Sequence, residues 1–474
     1  MKKNKIIALT LLISFLNLNF LPTFAIQDVQ AQDKKAQKKQ EKLLKYQVKR
    51  NKKYNDDYKY AYVNLDFWKS FNDENLNNYI NLAIKNNYDL KMATLNVDEY
   101  YQNVRLQFAN ELPQATVGFS PAVAKLGSVS PDFIESSTNW SFATPMILNY
   151  EADIFLKNRD KTRSAKKLYE ASKFDERSAY LSIASAVGSV YVNLVTLNEV
   201  IKYQENIVKL RKEIYDIMLE SNREGLVSTS DTVKANKAYV NGTSELINYK
   251  KNRTKLLHQL AVLIGESPEN IDNLKISDLS ILNYTKEIPL EISSEVITNR
   301  PDYLKSIKML EKMGLDVRVA KKEFLPSISL TGLALFLNGS GIPVDGVYAL
   351  AASGMLPVFT GGRRIANLKL RKIQYDKALE NYHKTNLTAL QEVNDALISV
   401  KRDSEKLDEH RKQLSLEQQD FGYTQQRYDA GIISKLDLIQ MQENLLTVNQ
   451  LVASSTGGCY VDYISLYKAV GGKL

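Results

Sequence analysis

The chain has 474 residues, with 63 Lys/Arg against 54 Asp/Glu and one cysteine. Residues 1–60 carry fourteen Lys/Arg and five Asp/Glu, which accounts for the whole formal charge of +9 and leaves positions 61–474 neutral. A neutral body has no electrostatic footprint for phosphates, which argues against a nucleic-acid partner, and a single cysteine excludes an internal disulfide and a thiolate metal cluster.

Met1-Lys2-Lys3-Asn4-Lys5, the apolar stretch from Ile6 to about Leu21 and then Pro22-Thr23-Phe24-Ala25 read as a Sec-type signal peptide over 1–25, so the mature protein is expected to be exported. A second possible cut follows Val29-Gln30-Ala31. The apolar run, roughly 16 residues, is short for a membrane anchor. Cys459 lies near the far end, so no lipid is expected at the mature N-terminus. The Lys-rich stretch within 26–65 lacks Gly and Pro between Gln32 and Lys59. It reads as a solvated, partly helical extension, or as a segment that touches peptidoglycan or anionic headgroups.

Proline maps the rest, because it breaks helix interiors. None occurs between Pro145 and Pro268, and none after Pro357, so two long stretches are free to be helical, and both are rich in helix formers. In the second, Leu379, Val393, Val400, Leu407, Leu414, Phe421 and Tyr428 recur at intervals of seven, with Asn386 the one interruption; this marks a coiled-coil seam. A helix from about Arg363 to Tyr428 is roughly 65 residues, or about 100 Å at 1.5 Å per residue. The uncharged stretch Leu181 to Leu197 contains Ser182, Ser185, Gly188, Ser189, Asn193 and Thr196, which points to close helix packing rather than membrane insertion.

Strands fall in the Pro-containing stretches, at about 113–121, 140–155, 326–337 and, less cleanly, 347–359. From Trp140 to Ile154 even positions are mostly apolar, while the odd ones include Ser141, Asn149, Glu151 and Asp153. Such a period of two fits a barrel strand with lipid on one side and water on the other. A half-buried soluble sandwich gives the same pattern.

The two halves match. Asp89 to Asp302 and Pro113 to Pro326 are both 213 apart. Gly225-Leu-Val-Ser228-x-x-Asp231-x-Val233 matches Gly431-Ile-Ile-Ser434-x-x-Asp437-x-Ile439 at an offset of 206. Each copy sits in mid-run, where Gly ends one helix in a left-handed conformation and Ser caps the next, so each run is expected to fold back as a helical hairpin. One half, 66–288, is then helix, strand, strand, long helix, tip at about 223–231, long helix; the other, 289–474, repeats this with a tip at about 427–437. Four strands per chain leave open edges in a bilayer, so several chains must close one barrel.

From about Trp68 to Gly472 the chain resembles the TolC-like outer-membrane efflux protein family. The segments that carry the resemblance are Trp68-x-x-Phe71-x-Asp73, Asn299-Arg-Pro-Asp302, Phe324-Leu-Pro-Ser-Ile-Ser-Leu-Thr-Gly332, Pro357-Val-Phe-Thr-Gly-Gly-Arg363, Arg427-Tyr-Asp-Ala-Gly431 and Leu466-Tyr-Lys-Ala-Val-Gly-Gly472. The resemblance implies a mainly α fold with β: long coiled-coil hairpins and four strands per chain in a homotrimeric, 12-stranded outer-membrane barrel that continues as a periplasmic helical tunnel. It also implies a passive channel that meets outer-membrane lipid, a periplasmic membrane-fusion adaptor and an inner-membrane pump. The adaptor contacts it implies are Arg223, Gly225, Leu226, Ser228, Arg427, Gly431, Ile432 and Ser434. The implied periplasmic gate comprises Asp437, with Gln440 at the second ring position, and Asp231 and Tyr428 at latch positions. Ile433 stands where the latch arginine is expected, with Lys435 a substitute charge, and Leu156 stands where a glycine is expected.

No catalytic constellation is visible. His258, His383 and His410 have no ligand spacing, no phosphate-binding glycine loop occurs, and no enzyme activity, metal or cofactor is expected. Two rival readings are a periplasmic coiled-coil scaffold without a pore, which has no need of alternating strands, and a type I protein-secretion exit.

Overall fold

A computed structural model describes residues 62–126, 137–285, 293–339 and 342–473. The signal peptide, its cleavage sites and the Lys-rich segment up to residue 61 lie outside them.

The helices are α1 Leu65–Lys69, α2 Glu74–Asn86, α3 Tyr88–Ala109, α4 Lys157–Arg223, α5 Thr229–Ile264, α6 Pro301–Lys322, α7 Arg363–Asp429 and α8 Lys435–Ala469. The strands are β1 Gln114–Val117, β2 Ser120–Leu126, β3 Ser137–Ala152, β4 Ser327–Gly339 and β5 Ile342–Met355. The duplication is visible in lengths: α3 and α6 have 22 residues each, α4 and α7 have 67 each, and α5 and α8 have 36 and 35. At 1.5 Å per residue α4 and α7 are each about 100 Å long.

All strand pairs are antiparallel, in the order β1–β3–β4–β5, with β2 also on β3. β1 and β2 are one strand interrupted opposite Pro145: Gln114 faces Asn149 and Ser120 faces Ala143 in one continuous register. Proline has no N–H to donate there, and the Gly118 N–H instead donates to the Pro145 carbonyl at 2.7 Å. The two hairpins share one register under the repeat offsets, since Gln114–Asn149 moved by 213 and 206 becomes the observed Ser327–Met355 pair. No second layer packs broadly on the described sheet, and Tyr348 and Leu350 of β5 are largely exposed. A sandwich buries one face, and no face of the described sheet carries such a layer.

The seven-residue stripe of α7 is the side it turns inward. Val393, Val400 and Leu407 are buried, and Leu379, Leu414, Phe421 and Tyr428 are half-buried. The main core lies where α1, α2 and the ends of α5 and α8 pack on the middle of α4. Phe67 stacks on Tyr467 at 4.1 Å between centroids, and Tyr191 donates to Asp73 at 2.8 Å. The uncharged segment 181–197 is this packing surface. Gly188 lies directly under the Trp68 ring and Gly457 under Thr196, with no space for a Cβ at either, so small residues there serve close helix approach.

The Arg300-Pro301-Asp302 motif has a structural explanation. Pro301 opens α6, where no N–H is needed. Arg300 is buried and donates to the Ala469 carbonyl at 2.6 Å, to Asp302 at 2.8 Å and to Glu392 at 2.5 Å. One guanidinium thereby ties the start of α6 to the C-terminal end of α8 and to α7, where positive charge also suits the helix dipole.

Candidate functional site: the two hairpin tips

Both tips have the same local chemistry. In the first, the Gly225 N–H donates to the Asn222 carbonyl at 3.0 Å and the Leu226 N–H to the Ser221 carbonyl at 2.8 Å. In the second, Gly431 donates to Tyr428 at 2.8 Å and Ile432 to Arg427 at 2.9 Å. This paired pattern is a Schellman C-cap, which requires a left-handed residue; Gly225 and Gly431 supply it at φ 76° and 71°.

The chain then re-enters helix through serine. The Asp231 N–H donates to Ser228 Oγ at 3.1 Å, and the Asp437 N–H to Ser434 Oγ at 3.2 Å. Ser434 N–H donates back to Asp437 Oδ2 at 3.0 Å, completing a capping box. The two acids singled out for the gate are therefore also cap residues. Hydrogen bonds from Ser228 and then Lys234 hold the Asp231 carboxyl below its ordinary range, and Ser434 does the same for Asp437.

The tips join few of the residues that the resemblance implies for the gate to one another. Asp231 is held by Ser228 and by Lys234 at 2.9 Å on its own helix, not by Tyr428. Arg223 pairs with Glu220 at 3.1 Å. Asp437 and Gln440 are both exposed, one turn apart on α8. Lys435, which stands near the position of the missing arginine, pairs with Glu213 of α4 and lies close to Tyr428.

A staple behind the tips escaped the sequence reading. Arg211 of α4 pairs with Glu443 of α8 at 2.8 Å, with both side chains mostly buried. One heptad along, Gln450 donates to Gln204 at 3.0 Å, while the buried Gln204 donates to the Gly242 carbonyl at 3.0 Å. Residues 204 and 211, and 443 and 450, are each seven apart. A search for polar residues at heptad spacing finds them, whereas a search for apolar repeats passes over them.

The other singled-out residues are structural. His410 shares a 2.7 Å hydrogen bond with Ser455 across the α7–α8 pair. Cys459 is buried, and burial followed by the nearby Asp462 and Asp403 pushes its thiol up to about 11. Leu156 takes the left-handed conformation at φ 58°, and its repeat counterpart Gly362 does so at φ 78°, so leucine occupies a position with a glycine-type backbone.

The outer membrane efflux protein family model matches residues 79–266 and 292–472. The chain belongs to that family. It is 28% identical over 417 residues to the toluene efflux pump outer membrane protein TtgC of Pseudomonas putida, covering 85% of this chain and 84% of that protein. It is 26% identical over 435 residues to the toxin and drug export protein A of Aggregatibacter actinomycetemcomitans, covering 87% and 93%. The crystal structure of the Campylobacter jejuni CmeC outer membrane channel superposes with a TM-score of 0.78 at 29% identity, over 86% of this chain and 88% of that one. The protein is thus an outer-membrane efflux channel whose helical tunnel lies in the periplasm. The scaffold alternative without a pore is excluded by this membership.

Proposed function

We propose that three copies of this chain form a passive duct without enzymatic activity, and that the two tips dock a periplasmic adaptor that couples the duct to an inner-membrane pump. The observation that carries this reading is the exposure of one apolar side chain on each rigid, polar tip. Leu226 is 73% exposed and Ile432 66% exposed, although in a Schellman cap this position usually packs back on its own helix. Two apolar knobs held at fixed backbone geometry, flanked by Arg223, Ser228, Arg427 and Ser434, suit a helical partner that inserts between the hairpins. Asp437 and Gln440 form the gate lining just inside. Three Asp437 carboxylates around one axis favour cations at that constriction.

Side-chain space at Gly225 and Gly431 is open, so the requirement there is conformational. Export is expected to fail in Gly431→Val and to persist in Gly431→Asn, because Asn tolerates the left-handed region and Val does not. Leu226→Glu with Ile432→Glu should abolish cross-linking from Ser228 and Ser434 to the adaptor while the trimer remains in the outer membrane. Normal export by the double glutamate variant overturns the docking role. A protein-secretion exit is the second reading, favoured by the name of the toxin and drug export relative. The captured adaptor and its pump decide between the two cargo classes.

A further inference from the structure

Where the strands hand over to the long helices, the two halves of the chain differ in charge. The β3–α4, α6–β4 and β5–α7 turns border one cavity of about 850 Å³. At the β3–α4 junction the chain satisfies itself. Lys157 pairs with Glu151 at 2.6 Å, and the Asp153 carboxylate accepts from the Asn158 and Arg159 N–H groups at 3.1 and 2.8 Å, covering the start of α4. The repeat offset of 206 carries Glu151 to Pro357, Asp153 to Phe359, Lys157 to Arg363 and Asn158 to Arg364. The β5–α7 junction therefore loses both carboxylates, keeps the cation and gains another.

The rest of the cavity wall does not make up the difference. Lys322 pairs with Asp160 at 2.7 Å, and Glu323 accepts from Asn367 at 2.9 Å. No side chain caps α7, and its first turn holds no acid. Arg364 lines the cavity, and its Nη1 is buried without a hydrogen-bond partner among the described residues. A guanidinium nitrogen withdrawn from water without an acceptor is costly, and an anion placed there also meets the backbone N–H groups of the α7 start.

The neighbouring side chains indicate which anion. Leu356, Val358 and Phe359, between the end of β5 and the start of α7, are 58%, 88% and 89% exposed. Strands of an outer-membrane channel end here and its periplasmic helices begin, so this is the level of the periplasmic headgroups. Exposed apolar side chains beside arginines without carboxylate partners fit an amphiphile with an anionic head. We propose that the β5–α7 junction binds the phosphate headgroup of an anionic phospholipid of the periplasmic leaflet through Arg363, Arg364 and the start of α7, with its acyl chains against Val358 and Phe359. The lipid phosphate takes the place that Asp153 fills at the β3–α4 junction, which for that reason binds none. Arginine suits this role because its fork meets two phosphate oxygens at once. A zwitterionic headgroup brings its own cation toward the two guanidinium groups and binds more weakly.

The test uses the full-length protein in detergent, titrated with phosphatidylglycerol, phosphatidylcholine or inorganic phosphate, with the thermal unfolding midpoint as readout. Phosphatidylglycerol should raise the midpoint by mass action, phosphatidylcholine should raise it less, and inorganic phosphate should leave it unchanged. Arg364→Gln should raise the phosphatidylglycerol concentration needed for half the effect by about tenfold or more, the loss of one charged hydrogen bond. Phe359→Asp restores the internal carboxylate of the other junction. It should raise the midpoint without lipid and abolish the response to phosphatidylglycerol, which keeps the site testable if Arg364→Gln folds poorly. An equal response to phosphatidylcholine, or a rise with inorganic phosphate, overturns the anionic-lipid assignment. A phosphatidylglycerol response that survives both variants overturns the site.

Discussion

Gly188 offers a sharp test of how the core is held. A Cβ at this position in α4 falls 2.3 Å from Trp68 Cζ3, 2.6 Å from Cη2 and 3.2 Å from Ile464 Cδ1. Carbon atoms rest at ~3.5–4.0 Å, so the indole ring must retreat by about 1.2 Å to reach the short end of that range. It has nowhere to go, being fully buried with ring centroids of Phe67 at 5.1 Å, Tyr467 at 5.5 Å and Phe71 at 6.2 Å. Overpacking of this kind costs about 1–3 kcal/mol, whereas alanine in an unobstructed helix interior gains up to about 1 kcal/mol over glycine. Gly422 of α7 meets nothing within 4 Å and serves as the matched control. Gly188→Ala should therefore shift the guanidinium midpoint of the detergent-solubilised protein, read by helical circular dichroism, below the unaltered chain, and Gly422→Ala should not. A midpoint for Gly188→Ala at or above the unaltered value refutes the claim that α4 is glycine-bearing there to admit Trp68.

Leu156→Gly should stabilise the protein by about 1 kcal/mol, because a left-handed leucine costs roughly that amount and its side chain is 41% exposed; a lowered unfolding midpoint counts against this. Asp462 is pushed up to about 7, first by burial and then by the adjacent Asp403. A carboxyl raised in the folded state binds its proton there while the unfolded chain has already lost it, so stability should fall as pH rises from about 4, the unfolded value, and level off above the folded value. Asp462→Asn should flatten that segment of the stability–pH curve, and an unchanged slope rules out Asp462 as its source. Asp437 is the opposite case, with its carboxyl held low by Ser434: the cap is present above the unfolded value and lost as pH falls through the folded one. Asp437→Asn should speed amide exchange in the first turn of α8 and reduce cation preference in planar bilayers, and unaltered exchange and selectivity together would remove both roles.

Much of this architecture was legible in the chain itself because it rests on local rules that repeat. Proline spacing bounded the two hairpins α4–α5 and α7–α8, the seven-residue stripe marked the inward side of α7, and Gly225-x-x-Ser228 with Gly431-x-x-Ser434 encoded both turns through backbone conformation and capping. The family resemblance pointed to the outer membrane for the same reason, since its motifs are turns, caps and the Arg300-Pro301 junction. Tertiary structure alone decided the rest. Alternation along β3 is the same for a sandwich and a barrel, and the likeness of the whole fold to a solved outer membrane channel separates them. The resemblance implies gate roles for Asp231 and Asp437, and the structure adds that their carboxylates bond the cap serines Ser228 and Ser434. The Arg211–Glu443 and Gln204–Gln450 staple joins residues more than two hundred positions apart. Sequence periodicity reports what each helix turns inward, but the identity of the facing surface depends on how the two halves dock.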